Sequence, residues 1–366
     1  MCKVFNIVGS LNDIERHLDY HDLTEFNSVH ELINFHKNYH PNKEGIILNH
    51  KLLIESEKNA LEKEISELNI KFIEGNQNLL LEKQIILEKL NKEIDNLPKI
   101  TGFKPLDIVN DYYKNLSIWL KIWSIQIIFR YKKYRFAKNS GKELSRKNSR
   151  FTYVTYNFEQ AIEESGIAEI NELERKNNVI SIVKNSIYGA IGEYKVFEKL
   201  QNLSDEYILI NDFDCSFQPP IYNRNENDHI QSIQIDHLLI SPSGIFIIET
   251  KNWSEQSIAN ENMRSPVKQV KRTNYALFRI LAEQSSSFKF RKHNWGNRKI
   301  PIRNIIVFIN KKPTEEFQYV KILAVNQLLQ YIEYFEPTFS NDEVQSIADY
   351  LLRISNRKSQ SSKLRV

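Results

Sequence analysis

Asp236, Glu249 and Lys251 lie on two apolar, β-branched runs, Ile233–Ile240 and Ile245–Lys251. Between the runs stands Ser241-Pro242-Ser243-Gly244, a strong turn signal that predicts a hairpin. With the turn centred between Pro242 and Ser243, Ile240 faces Ile245 and Asp236 faces Glu249. Directly opposed side chains have Cβ atoms about 5 Å apart. Two carboxylates that close repel unless a cation lies between them. That is the arrangement a hard divalent ion uses, with oxygen ligands at about 2.0–2.1 Å for magnesium. Lys251 is two residues past Glu249 and so points to the same face, where its ammonium can hold a phosphate or a nucleophilic water. Gln234 shares that face and His237 points away from it. A lone Glu-x-Lys is more often a surface ion pair. Here Ile245–Ile248 is continuously apolar, so the strand is expected to be buried on both faces, and acids at its end want a metal or a partner.

Two helices must bring further groups to this hairpin. Ser181–Leu200 carries an apolar stripe through Val183, Ile187, Ile191 and Leu200. Gly189, Gly192 and Glu193 sit on adjoining positions of one face, since residues three and four apart are neighbours. Glycine costs about 1 kcal/mol against alanine inside a helix. Two of them imply close approach to another element, which would deliver the Glu193 carboxylate to the sheet. After the hairpin, Ser265-Pro266 reads as a helix start. Gln269 follows one turn in, beside Lys268, Lys271 and Arg272, and an amide with a basic cluster there suits a phosphate backbone.

Gly189-x-x-Gly192-Glu193, Gln234-Ile235-Asp236-His237, Gly244-Ile245-Phe246-Ile247-Ile248-Glu249-Thr250-Lys251-Asn252 and Pro266-x-x-Gln269 together resemble the nuclease-related domain family, NERD, of the PD-(D/E)xK nuclease superfamily. The resemblance covers about residues 181–335, and its four motifs stand in the expected order. It implies a mixed central sheet flanked by helices, restriction-endonuclease-like, of the α+β or α/β class. It implies that Glu193, Asp236 and Glu249 are metal-binding acids for Mg2+ or Mn2+, that Lys251 is the catalytic lysine and Gln269 an accessory polar residue, and that the substrate is DNA. The polar insert Tyr222–His229 departs from the pattern and touches only a loop.

The rest of the chain reads as all-α. Residues 1–45 form a small helical segment in which His17/His21 and His36/His40, each four apart, could clasp a metal but lack accompanying cysteines. Residues 46–98 carry coiled-coil patterning, with Leu61, Ile65, Leu68 and Phe72, then Leu80, Leu87, Leu90, Ile94 and Leu97. Gly75-Asn76-Gln77-Asn78 interrupts them and predicts a turn between antiparallel arms near 50–73 and 79–97; a continuous coiled coil with a stutter is the alternative. Residues 106–180 are a helical connector, 181–335 the nuclease-like domain, and 336–366 a helix and basic tail. Leu116–Phe129 is apolar but only about 14 residues long against roughly 20 for a membrane span, and Lys121 interrupts it. From Arg130 to Arg150 basic residues are opposed only by Glu143. Arg130, Lys132, Lys133 and Arg135, interleaved with Tyr131, Tyr134 and Phe136, suit phosphate contacts with stacking; a solvated helix face fits equally.

Composition bounds these readings. Lys+Arg number 50 and Asp+Glu 46, a net charge of +4 over 366 residues, so a nucleic-acid surface must be local. Ten glycines and ten prolines are few for a turn-rich all-β fold. Two cysteines, Cys2 and Cys215, build no disulfide framework. The N-terminus lacks an apolar signal core, so a cytoplasmic setting is expected. The expectation is a metal-dependent deoxyribonuclease, controlled by homo-oligomerisation or a protein partner through residues 46–137 and suited by analogy to defence against foreign DNA. The alternative is a scaffold that binds nucleic acid without cutting it.

Overall fold

The computed structural model describes residues 1–96, 105–253, 264–284, 300–356 and 362–366. The chain divides into two units, one made of Met1–Tyr39 with Glu174–Val366, the other of His40–Leu173.

The first unit is built on a mixed six-stranded sheet, ordered β1 to β6 as in the chain. The strands are β1 (Lys3–Phe5), β2 (Ile208–Asn223), β3 (Asp228–Ser241), β4 (Gly244–Lys251), β5 (Ile302–Phe308) and β6 (Lys321–Ala324). β1 is parallel to β2, β2–β3–β4 form an antiparallel meander, and β5 and β6 run parallel to β4. The helices of this unit are α1 (Gly9–Tyr20), α2 (Val29–Lys37), α6 (Lys184–Leu200), α7 (Arg264–Gln284), α8 (Leu328–Glu333) and α9 (Asn341–Ile354). One face of the sheet, with Leu209, Leu239, Phe246, Ile248 and Val307, packs on Val196 and Leu200 of α6. The other, with Ile210, Leu238, Ile247, Ile306 and Phe308, packs on Val270 and Leu277 of α7 and Ile347 of α9. The expected mixed sheet with flanking helices is therefore present.

The expected β3–β4 register is also present, from Ser241↔Gly244 to His237↔Ile248. The turn is held by the Ser241 hydroxyl, which donates to the Gly244 carbonyl at 2.8 Å. Gly244 has φ +127°, and a Cβ there would lie 2.5 Å from the Pro301 carbonyl oxygen, so no side chain fits. Two strands differ from expectation. β2 is a full strand, and the insert Tyr222–His229 is the end of a second hairpin, with Tyr222 paired to His229, Asn223 to Asp228, and residues 224–227 as the turn. β1 takes the first residues of the chain out of an all-helical reading and into the sheet.

The second unit is dominated by α3 (Tyr39–Asp95) and α4 (Pro105–Tyr156), followed by α5 (Phe158–Ile182), which runs on past its end. α3 continues through Gly75–Asn78, so the turn expected there does not exist. The antiparallel partner of α3 is α4. Arg150 bonds both carboxylate oxygens of Glu57 at 2.8 and 2.9 Å, Lys147 pairs with Glu64, Lys132 pairs with Glu82 at 3.1 Å, and Leu90 packs with Ile118 and Ile122. Gly75 is a close-approach position. The Phe136 ring, stacked on Phe72, occupies the space where a Gly75 Cβ would stand. The Asn76 side-chain amide donates to the Phe72 carbonyl one turn back at 2.9 Å. The glycine cost is small enough for this packing to outweigh it.

No helix among the described residues is long and apolar enough to cross a membrane. The His17 ring meets the Val179 carbonyl at 3.3 Å, and His36 bonds the Asn177 side chain at 2.9 Å. Cys2 and Cys215 are both buried, and burial pushes each thiol up to about 11.

Candidate active site

The β3–β4 ladder ends at His237↔Ile248, one pair short of Asp236 and Glu249. β3 stays paired to β2 beyond that point, with Ile235 opposite Phe213. Asp236 turns into the opening, and its Oδ2 accepts from the Thr250 backbone N–H at 2.7 Å. Glu249, only 5% exposed, takes the Lys251 ammonium at 2.9 Å. A carboxylate this deep needs such a partner, because desolvation without one is costly.

Glu193 arrives from the opposite layer by close packing of α6. A Cβ on Gly192 would lie 2.9 Å from Asn252 Cβ, 3.3 Å from Ile309 and 3.4 Å from Thr250. The missing side chain therefore lets α6 ride on the end of β4. Asn252 locks the contact by donating to the Tyr188 carbonyl at 2.7 Å. The Glu193 carboxylate accepts from the Ser10 hydroxyl at 2.5 Å and from the Ser10 backbone N–H at 3.3 Å.

The electrostatics tie these groups together. Burial, then the charges of Glu249 and Glu193, hold Asp236 well above the usual carboxylate range against the opposing Thr250 N–H and Lys251. Burial also raises Glu193, with Glu249 adding to it and Ser10 opposing it. Burial works against the Lys251 ammonium, yet Glu249, Asp236 and Glu193 keep its pKa above the ordinary value. Three carboxylates against one lysine leave excess negative charge in low dielectric. Each carboxylate is turned to its own protein donor. Among the described residues no group of three or more His, Cys, Asp and Glu side chains is gathered closely enough to hold a metal ion.

Behind the acids, His237 is fully buried and its Nδ1 meets Asn211 Oδ1 at 2.8 Å; Asn211 donates in turn to the Asn6 carbonyl at 3.2 Å. Burial pushes His237 from its ordinary 6.5 down to about 3. The sign follows from a depressed folded value. The unfolded imidazole takes up a proton near 6.5 and the folded one refuses it until about 3, so this contribution is complete above pH 6.5 and is lost as pH falls. We expect denaturant melts between pH 6.5 and 4 to cost the wild type about 1.4 kcal/mol per pH unit relative to His237→Gln. Parallel stability curves for the two proteins would contradict it.

The remaining predicted residues are spread along α7 and α4. Gln269 is exposed on the first turns of α7. Lys268, Lys271 and Arg272 line a pocket of about 490 Å³ with Tyr275, Phe278 and Tyr319, and Arg272 is paired with Asp228. On the second unit Arg130 and Lys133 line a groove of about 410 Å³ with Trp123 and Leu79, while Lys132 is taken by Glu82 and borders a further groove with Arg135 and Phe136. The basic stretch of α4 is thus partly neutralised by the acids of α3. Sequence reading missed Ser10, Asn211 and Asn252. Ser10 is 183 residues from its partner and carries no local signal; Asn252 stood in a recognised motif without a role.

A glycine-packed helix thus feeds a carboxylate onto a mixed sheet, beside an Asp and a Glu-x-Lys strand. Residues 188–309 match the family model NERD, nuclease-related domain, and this segment contains Glu193, Asp236, Glu249, Lys251 and Gln269. No curated protein and no solved structure matches the chain.

Proposed function

We propose that the chain is a divalent-metal-dependent nuclease that hydrolyses phosphodiester bonds of DNA. The observation that carries this reading is the cluster of buried Glu249 with half-buried Asp236 and Glu193, in which the Glu249 charge weighs on both other acids and Lys251 is, among the described residues, the ammonium bonded to Glu249. The donors fit Mg2+ or Mn2+: magnesium is commonly held by one or two carboxylates, its remaining positions left to water and substrate phosphate. Asp236 and Glu249 would hold it, with Glu193 alongside. When bound, such an ion polarises a phosphoryl oxygen and lowers the pKa of a bound water. Lys251, kept protonated by Glu249, would place its positive charge beside the phosphoryl oxygens, where negative charge develops during hydrolysis. The Thr250 N–H keeps the Asp236 carboxylate aimed into the strand opening. Lys268 and Lys271 supply phosphate contacts without reading sequence, and Gln269 a polar contact beside them. Cleavage assays on circular and linear, single- and double-stranded DNA, with Mg2+ and with EDTA, test the reading. Cleavage that persists in EDTA sinks it. DNA retained without turnover under any divalent metal would favour the non-cutting scaffold instead.

The second unit is proposed to control this activity by self-association. Ile118, Ile122 and Phe129 of α4 are buried, but a second stripe of the same helix faces solvent, with Trp119 62% and Trp123 64% exposed between Leu116 and Ile127. Contiguous apolar surface of this kind marks an interaction site, and a second copy offers the same stripe in return. Control by assembly suits an enzyme that would otherwise cut its host's DNA, with defence against foreign DNA as its setting. Light scattering is expected to give at least a dimer at micromolar concentration and a monomer for Trp119→Glu/Trp123→Glu. A wild-type monomer overturns this part.

A further inference from the structure

The family match begins at residue 188, yet the Glu193 carboxylate is held from residue 10. α1 points its first turn at α6. The Ser10 backbone N–H is one of the unpaired donors of a helix start, and it bonds Glu193 Oε2 at 3.3 Å while the hydroxyl bonds Oε1 at 2.5 Å. The junction is built for this contact. Gly189 faces Ser10, and a Cβ there would stand 3.3 Å from the Ser10 hydroxyl oxygen and 4.0 Å from Glu193 Oε1. Gly9 lies against the Asp212 carboxylate, where a Cβ would come within 2.5 Å of Cγ. Asp212, a buried residue with φ 49° on β2, accepts from Gln234 of the Asp236 strand at 2.9 Å. The start of α1 is thereby clamped between α6 and the strands that carry the site. β1, paired to β2 a few residues earlier, anchors it from the other side.

We propose that Ser10 is a positioning residue. It fixes the Glu193 carboxylate, so that the N-terminal segment completes the acidic site of the matched domain. Ser10 touches no reacting atom in this scheme and acts through Glu193. Both carboxylate oxygens are oriented by one residue, and each keeps a lone pair for a further partner. Hydrogen-bonded supports of this kind are where metal-binding carboxylates gain their alignment, and removing one commonly costs about 10–100-fold in metal affinity or activity. The inference rests on the metal-dependent reading above.

The test is calorimetric titration of Mn2+ into the full chain without nucleic acid, with thermal midpoints recorded in parallel. Ser10→Ala is expected to weaken Mn2+ binding about tenfold with little change in midpoint, and Ser10→Thr to keep near-wild-type affinity through its hydroxyl. Gly189→Ala retains Ser10 but crowds it, and is expected to weaken binding as well. Equal affinity in wild type, Ser10→Ala and Gly189→Ala would overturn the positioning role and leave the nuclease reading standing. A wild type that takes up no more Mn2+ than Asp236→Asn would overturn both.

Discussion

Asp236→Asn is expected to reduce DNA cleavage by at least about a thousandfold while leaving the protein as stable as the wild type or more so. The two halves of that result have one cause. Asp236 is raised by burial and by the charges of Glu249 and Glu193, so ionising it costs the fold. Because the folded value is raised, the cost grows as pH rises through the window above the ordinary carboxylate pKa and vanishes below it. Asparagine has the same shape, still accepts from the Thr250 N–H, and removes the charge. Glu249→Gln should abolish cleavage equally but with the opposite effect on stability. It leaves the largely buried Lys251 ammonium without its 2.9 Å partner. Breaking such a pair costs about 2 kcal/mol once the partial exposure of Lys251 is allowed for. Cleavage kinetics and thermal melts on the two variants check this. Unchanged cleavage in Asp236→Asn would remove that carboxylate from the mechanism, and equal destabilisation by the two variants would remove the electrostatic account.

What the sequence made legible follows from the range of its signals. The β3–β4 register could be read because a four-residue turn signal sits between two apolar runs, which leaves little freedom in the pairing. Once the register is known, the placement of Asp236, Glu249 and Lys251 on one face follows from the period of a strand. The one refinement is that the ladder stops a pair early, which frees Asp236 to bond Thr250 instead of standing opposite Glu249. β2 was missed because Asp212, Asp214, Pro219 and Pro220 break its alternation, and a strand that curls through such residues keeps its identity only by pairing with β3. β1 has three residues and no local pattern at all. Gly75-Asn76-Gln77-Asn78 misled for the converse reason. Turn-forming residues permit a turn without requiring one, and Phe136 from α4 rewards the helix for having no side chain at position 75. Long-range contacts decided each of these cases.

The same logic sets apart glycines that look alike in sequence. Gly192→Leu is expected to destabilise the protein by about 3 kcal/mol and to abolish cleavage, whereas Gly141→Leu should stabilise it by up to about 1 kcal/mol and leave cleavage unchanged. Both positions are helical, so leucine improves the intrinsic preference at each. At Gly141 a Cβ meets nothing within 4 Å, and the propensity gain is realised. At Gly192 the first atom alone would lie 2.9 Å from Asn252 Cβ, an atom fixed to the backbone, and the branches beyond it have Ile309 and Thr250 to displace. α6 must then lift from the end of β4. Lifting it breaks the bond from Asn252 to the Tyr188 carbonyl and carries Glu193, the next residue, away from Asp236 and Glu249. Chemical denaturation and cleavage assays on the two variants read both consequences. If Gly192→Leu retained wild-type stability, α6 would not be held against the sheet by the absence of that side chain, and the packing route by which Glu193 reaches the site would have to be abandoned.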